Sequence, residues 1–229
     1  TGEVLPVVVH APGLHGSFWR TDVILPGNVP GAPTTRKLVF VGKDETRERT
    51  ITINDDVTHV LRDVLVSVFG YPSDASVSGV LLLADAYVSS WAMARVYTES
   101  AQGSYGQGFT VLRAGMGSGV GFGEQGVLPV LMQDQHFRTN LGLVNVSSEG
   151  LEARVRIFNS FGQEVGSRVF RLGPWQREQI NEVLVPLGAT SGYAVVETLT
   201  PQTYVWAYAS MVDNRTNDPT TLPMWRERL

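Results

Sequence analysis

The chain of 229 residues contains no cysteine. That excludes disulfides, thiolate nucleophiles and cysteine-ligated zinc. Charge is sparse as well, with 17% of residues Asp, Glu, Lys or Arg against about 25% in ordinary globular chains. The net charge of −4 lacks the basic footprint of a nucleic-acid binder. No apolar run reaches the roughly 18 residues that a membrane-spanning helix requires. The P-loop, the hydrolase elbow G-x-S-x-G, the zincin H-E-x-x-H and the EF-hand loop are all missing. The four histidines are His10, His15, His59 and His136. His10 and His15 flank Ala11-Pro12-Gly13-Leu14 at a spacing that fits no standard metal pattern, so both are expected as surface loop side chains. Neither catalysis nor a bound cofactor is expected.

What remains is apolar and turn-rich: 43% of residues are hydrophobic, with 24 Gly and 12 Pro. That is enough apolar material for a core and argues against global disorder. The chain opens Thr1-Gly2-Glu3 with no basic or apolar leader before it. Such an opening is what an exported bacterial protein shows after signal removal, so a secreted or cell-surface location is expected.

Segments recur in order along the chain. Val4-Leu5-Pro6-Val7 returns as Val127-Leu128-Pro129-Val130, and Trp19-Arg20-Thr21-Asp22 as Phe137-Arg138-Thr139-Asn140. Leu61-Arg62-Asp63-Val64-Leu65 faces Ile180-Asn181-Glu182-Val183-Leu184, Ser78-Gly79 faces Ser191-Gly192, and Trp91-Ala92-Met93-Ala94 faces Trp206-Ala207-Tyr208-Ala209. Collinear matches of this kind point to two copies of one domain. The stretch 114–126 is glycine-rich and reads as a flexible linker. It contains Gly121-x-Gly123-x-x-Gly126, a formal dinucleotide fingerprint. The following Val127-Leu128-Pro129-Val130 is strand-like, whereas that motif opens a helix.

Strand patterns dominate both copies. Val4–His10 is a β-branched run. Thr50-Ile51-Thr52-Ile53-Asn54 and Arg154-Val155-Arg156-Ile157 alternate with period two. Trp19–Leu25, Arg36–Val41, Val77–Ala84, Val88–Tyr97, Gly108–Leu112 and Ser167–Leu172 add further strands, with a hairpin turn at Asn159–Gln163. Only Val57, Val60, Leu61, Val64 and Val68 fall at helical spacing. Asn54-Asp55-Asp56 supplies cap candidates there, and Gly70 and Pro72 the stop. The expected fold is all-β: two tandem immunoglobulin-like or fibronectin-like β-sandwiches related by internal duplication, with a short helix between strands. Copy one is 1–113, the linker 114–126 and copy two 127–229.

Some residues invite a functional role. Arg20-Thr21-Asp22 and Arg138-Thr139-Asn140 suit a duplicated structural brace, an arginine bonding loop carbonyls or a carboxylate. Asp213, Asn214, Asn217 and Asp218 offer oxygen ligands to calcium and equally suit a turn bonded to its own backbone. Trp175, Trp225 and Tyr105 are candidates for stacking on sugar rings. Trp91 and Trp206 are expected at equivalent buried points of the two cores. Val4, Leu5, Val7 and Val9 lie in an apolar strand with little charge to guard it. That strand is a candidate for edge-to-edge addition across chains, or else completes its own sandwich.

W-R-T-D near the start, G-S-Y-G-Q at 103–107, R-T-N-L-G-L-V-N opening copy two and Y-A-S-x-V-D-N-x-T-x-D-P at 208–219 form a specific pattern. It resembles repeats in uncharacterised exported bacterial proteins, which often close large secreted chains. The resemblance implies export and a β-sandwich, and it carries no catalytic residues. Protein partners, including further copies of the chain, are therefore expected for a structural or interaction protein. The alternative is a carbohydrate-binding module.

Overall fold

A computed structural model of the chain describes residues 2–26, 34–53, 57–84 and 91–227. Two compact units divide it, 1–113 and 114–229. The cap candidates Asn54-Asp55-Asp56, the start of the Val88–Tyr97 run and the side chain of His15 lie outside the described residues.

The first unit contains β1 (Glu3–Pro12), β2 (Phe18–Leu25), β3 (Thr34–Gly42), β4 (Thr46–Ile53) and β5 (His59–Leu61). After them come α1 (Val64–Ser67), β6 (Val77–Ala84), β7 (Met93–Ser100), β8 (Gly103–Thr110) and β9 (Leu112–Arg113). One layer runs β4-β3-β6-β1-β9 and the other β5-β2-β7-β8, all antiparallel. A short corner joins them, where Ala11 and Pro12 pair with Trp19 and Phe18.

The second unit contains β10 (Gln125–Met132), β11 (Phe137–Asn145), β12 (Leu151–Asn159), β13 (Glu164–Leu172) and β14 (Arg177–Ile180). It ends with β15 (Ser191–Thr198), β16 (Val205–Asp213), β17 (Pro219–Pro223) and β18 (Trp225–Glu227). Its sheets run β13-β12-β15-β10-β18 and β14-β11-β16-β17. Strand for strand, this is the order of the first unit.

Period-two alternation builds the sandwich core. In β12, Leu151, Ala153, Val155 and Ile157 are buried while Glu152, Arg154 and Arg156 face outward. The outward arginines pair with acids on the neighbouring strands, Arg154 with Glu197 at 2.9 Å and Arg171 with Glu152 at 2.9 Å. Leu128, Leu131, Leu141 and Leu143 meet the β12 residues from the other strands of the unit.

The repeated Val-Leu-Pro-Val has a structural cause. Pairing of β1 with β6 shifts between Leu5 and Val8, and pairing of β10 with β15 shifts between Leu128 and Leu131. Each shift is a bulge at Pro-Val, since proline cannot donate to the ladder. A second device recurs beyond the bulge. The N–H of Val9 donates to Thr21 Oγ1 at 2.8 Å, and that hydroxyl donates back to the Val9 carbonyl at 3.0 Å. Met132 and Thr139 do the same at 2.9 and 2.8 Å. Both threonines are fully buried, so no water can replace them. Thr21→Val and Thr139→Val are each expected to lower stability by about 2 kcal/mol, read from the urea transition of the affected unit. A variant that unfolds with the wild-type protein would show that the bridge is dispensable.

Several expectations change against this architecture. β1 is no free edge: β6 lies along one side, and β9, the Thr21 bridge and β2 occupy the other. Val4, Leu5 and Val7 are buried and Val9 half-buried, because a strand inside a sandwich is enclosed on both faces when the corner folds over it. The glycine-rich stretch is not a linker. Val120 is fully buried and pairs with Val205, and Gly115 N–H donates to the Val146 carbonyl. A Cβ at Gly119 would press on Val146 and Tyr204, at 2.8 and 2.9 Å. The helix is only four residues long, since His59–Leu61 pairs with β2 instead, leaving Val57 and Val60 exposed.

Candidate functional site

The densest group of titratable side chains gathers around β2 of the first unit. His10, from β1, is 1% exposed, not a surface loop residue. Its Nδ1 lies 2.9 Å from Asp63 Oδ1 and its Nε2 3.0 Å from the Ser73 carbonyl oxygen. The ring meets Phe18 edge-on at 4.8 Å. Both nitrogens are thus engaged and enclosed, which leaves none to exchange a proton with a substrate.

Asp22 is buried and fully employed. Its Oδ1 accepts the Asp63 backbone N–H at 2.9 Å and its Oδ2 accepts Arg62 Nη1 at 3.2 Å. Beside it, burial and then the Asp22 carboxylate push the Tyr97 phenol above its ordinary range. Half-buried Arg20 lies 3.8 Å from Asp63 and 3.6 Å from Glu99.

The second unit repeats this corner with mostly neutral partners. Arg20 stands opposite Tyr97 in the β2–β7 ladder, and Arg138 opposite Val212 in the β11–β16 ladder. Arg138 is 4% exposed, and burial pulls its guanidinium below the ordinary arginine range. It donates to Asn214 Oδ1 and to Asn217 Oδ1, each at 2.8 Å. Asn140 Oδ1 accepts the N–H of Glu182 at 3.1 Å, as Asp22 accepts that of Asp63. Asp63 and Glu182 both have positive φ, 42° and 50°. In each unit, then, a side-chain oxygen from the second strand holds a left-handed backbone turn. An aspartate or an asparagine does this equally well, so Asp22 need not be an acid in chemistry. Arginine as a brace was legible in the sequence; the turns held by Asp22 and Asn140 were not, because Asp63 and Glu182 carry no glycine signal for positive φ.

The Arg138 brace also changes the candidate calcium turn. Asn214 and Asn217 direct their oxygens at the guanidinium. Asp213 Oδ1 accepts the N–H groups of Arg215 and Thr216, both at 2.8 Å, and the Thr216 hydroxyl at 3.0 Å. Those contacts, led by the Thr216 N–H, hold the Asp213 carboxyl below its usual range. The Asp218 N–H donates to Thr216 Oγ1. Asp213, Asn214, Asn217 and Asp218 therefore do not converge on a common cation position. Among the described residues, no group of three or more His, Asp or Glu side chains is placed to hold a metal ion.

The aromatic candidates divide by exposure. Trp225, on the three-residue strand β18, is 71% exposed. Trp175 is half-buried with a positive φ of 59°, and Tyr105 is half-buried on β8. They come from separate elements, and no described contact brings them together.

Trp91, two residues before β7, and Trp206, within β16, differ in burial, at 82% and 7% exposed. Both lie on the outer face of the smaller sheet, because the core positions beside them are taken by Ala92 and Ala94, and by Ala207 and Ala209. In the second unit that face is roofed. Tyr208 lies over Gly142, where any Cβ would overlap its ring, and its hydroxyl bonds Arg177 and Gln179 at 3.1 and 3.0 Å. Trp206 tilts against Tyr208 at 5.6 Å. In the first unit the same positions hold Met93, Ile24 and Val60, paired across three strands. Trp91 stands uncovered beside them.

No family model, no curated protein and no solved structure matches the chain.

Proposed function

We propose that the chain is a non-catalytic structural or interaction module of an exported bacterial protein, assembled with protein partners at the cell surface or outside the cell. The observation that carries this is the uncovered outer face of the first unit. Trp91 is 82% and Val60 47% exposed, flanking half-buried Ile24 and Met93, whereas the second unit's matching face is roofed by its own Tyr208. An uncovered apolar row on a well-packed sheet is the usual mark of a partner contact. The polar corners support a non-catalytic role, since His10, Asp22 and Arg138 all serve the chain's own backbone and turns. A common origin of the two units by duplication is supported by their shared strand order, bulge and threonine bridge.

The test is the size of native material with and without the contact. In wild-type extracts the chain is expected in particles larger than itself. Trp91→Ala should release it from those particles with its thermal midpoint unchanged. Native particles that are already monomeric, or that ignore Trp91→Ala, would overturn the proposal.

Exposure of Trp225 favours a second reading, carbohydrate binding by stacking. Glycan-array binding lost in Trp225→Ala and kept in Trp91→Ala would establish it in place of the first.

A further inference from the structure

The edges of the sheets are guarded unequally. Among the described residues, four edge strands are five residues or longer: β4, β8, β13 and β17. β4 carries Arg47, Glu48 and Arg49, and β13 carries Glu164, Arg168 and Arg171. β17 begins and ends in proline, Pro219 and Pro223. Charges and prolines are the means by which natural sheets prevent edge-to-edge pairing. β8 has neither. Its eight residues, Gly-Ser-Tyr-Gly-Gln-Gly-Phe-Thr, are uncharged and pair with β7 from Ser100–Gly103 to Met93–Thr110 without a bulge. In the second unit the matching strand is β17, so the edge that carries prolines there carries neither proline nor charge here.

We infer that β8 is a self-association edge, through which two copies of this chain pair β8 to β8 antiparallel about a two-fold axis. The inference rests on the interaction role proposed above and names its surface and partner. A second copy is favoured over another protein because β8 complements itself in one register. With Gln107 at the axis, Tyr105 faces Phe109, Gly106 faces Gly108 and Ser104 faces Thr110, each pair sharing one face of the sheet. Phe109 is buried in its own unit, so the pairing rests on the exposed hydroxyls of Ser104 and Thr110, a stabilising cross-strand combination, on the glycines that meet between them, and on the absence of opposed like charges. None of the three charged or proline-blocked edges offers this. The glycine at 106 has a further reason to be there, since a Cβ would press on the Val96 carbonyl at 2.6 Å. It brings β8 close to β7.

Ser104 and Thr110 are exposed and face each other across the dimer, so charge placed there reads the register directly. In Ser104→Glu with Thr110→Glu, carboxylates oppose carboxylates twice. In Ser104→Glu with Thr110→Lys, the same sites carry opposite charges. Within the monomer a glutamate at 104 meets both Arg95, which donates to Ser104 Oγ at 2.7 Å, and Glu99, its opposite in the β7–β8 ladder; both variants share that glutamate, so their difference reads position 110 alone. Thermal unfolding of each variant at low concentration confirms the fold.

Sedimentation equilibrium of the intact chain should show a reversible dimer. Its dissociation constant should rise about tenfold or more with the double glutamate and return to near the wild-type value with the Glu/Lys pair. Amide exchange in β8 should slow as the concentration rises. A wild-type chain that is monomeric at every concentration overturns the inference. A dimer that treats the two variants alike also overturns it. Either result leaves the Trp91 test to decide the interaction role on its own.

Discussion

Gly192→Ala is expected to destabilise the second unit by about 3 kcal/mol. A Cβ on Gly192 would overlap the Phe158 carbonyl oxygen of β12. β15, which carries Gly192, is held between β12 and β10, with Gly192 paired to Asn159 on one side and Leu131 on the other. The strand has no side toward which to move. Gly79 is the same position in the first unit: its Cβ would overlap the Val41 carbonyl, and it pairs with Gly42 and Val8. Gly79→Ala should therefore cost a similar amount in its own unit. Gly150→Ala serves as the control, because its Cβ would meet only the Leu172 carbonyl at 3.5 Å, an ordinary contact. Its effect should stay within about 0.5 kcal/mol. Chemical denaturation read separately for each unit makes the comparison. If Gly192→Ala behaves like Gly150→Ala, the close strand approach is not rigid.

The two tryptophans should part company under truncation. Trp206→Ala is expected to cost about 3–5 kcal/mol, the range for a buried aromatic. Trp91→Ala should stay within about 0.5 kcal/mol. Trp206 lies against Tyr208 and opposite fully buried Val144 in the β11–β16 ladder. Trp91 precedes β7 and has no such cover. Heat denaturation of both variants tests this, and equal losses would mean that the outer face of the first unit is packed after all.

That contrast shows where sequence reasoning succeeds and stops. An apolar run located β6 at Val77–Ala84, and alternation located the inward residues of β12, because period two leaves a clear trace wherever one face is wet. The repeated segments matched Trp91 to Trp206 as two buried residues, yet Trp91 is exposed, and that repeat left the reason out. It did not reveal that both point away from the core. Whether such an outer residue is covered depends on Gly142 and Tyr208, or on Ile24 and Met93, which come from a neighbouring position and a neighbouring strand. The corner around Arg20 and Arg138 was legible as a brace, while its partners were not. His10 meets Asp63, and Arg138 meets Asn214 and Asn217, only after the strands between them have folded. The glycine-rich stretch failed as a linker because composition counts glycines and overlooks the single Val120 that anchors them.

Val-Leu-Pro-Val sets the bulge in both β1 and β10, so each of these strands carries what the other's place requires. During synthesis this ambiguity is settled by order of arrival. β6 emerges long before β10, and β1 can take its seat while no rival exists. A denatured chain has no such schedule. Both first strands are present when β6 and β15 begin to recruit partners, and each offers the same Pro-Val bulge to either of them. The identity that makes the two units alike thus makes refolding from denaturant a different problem from folding on the ribosome.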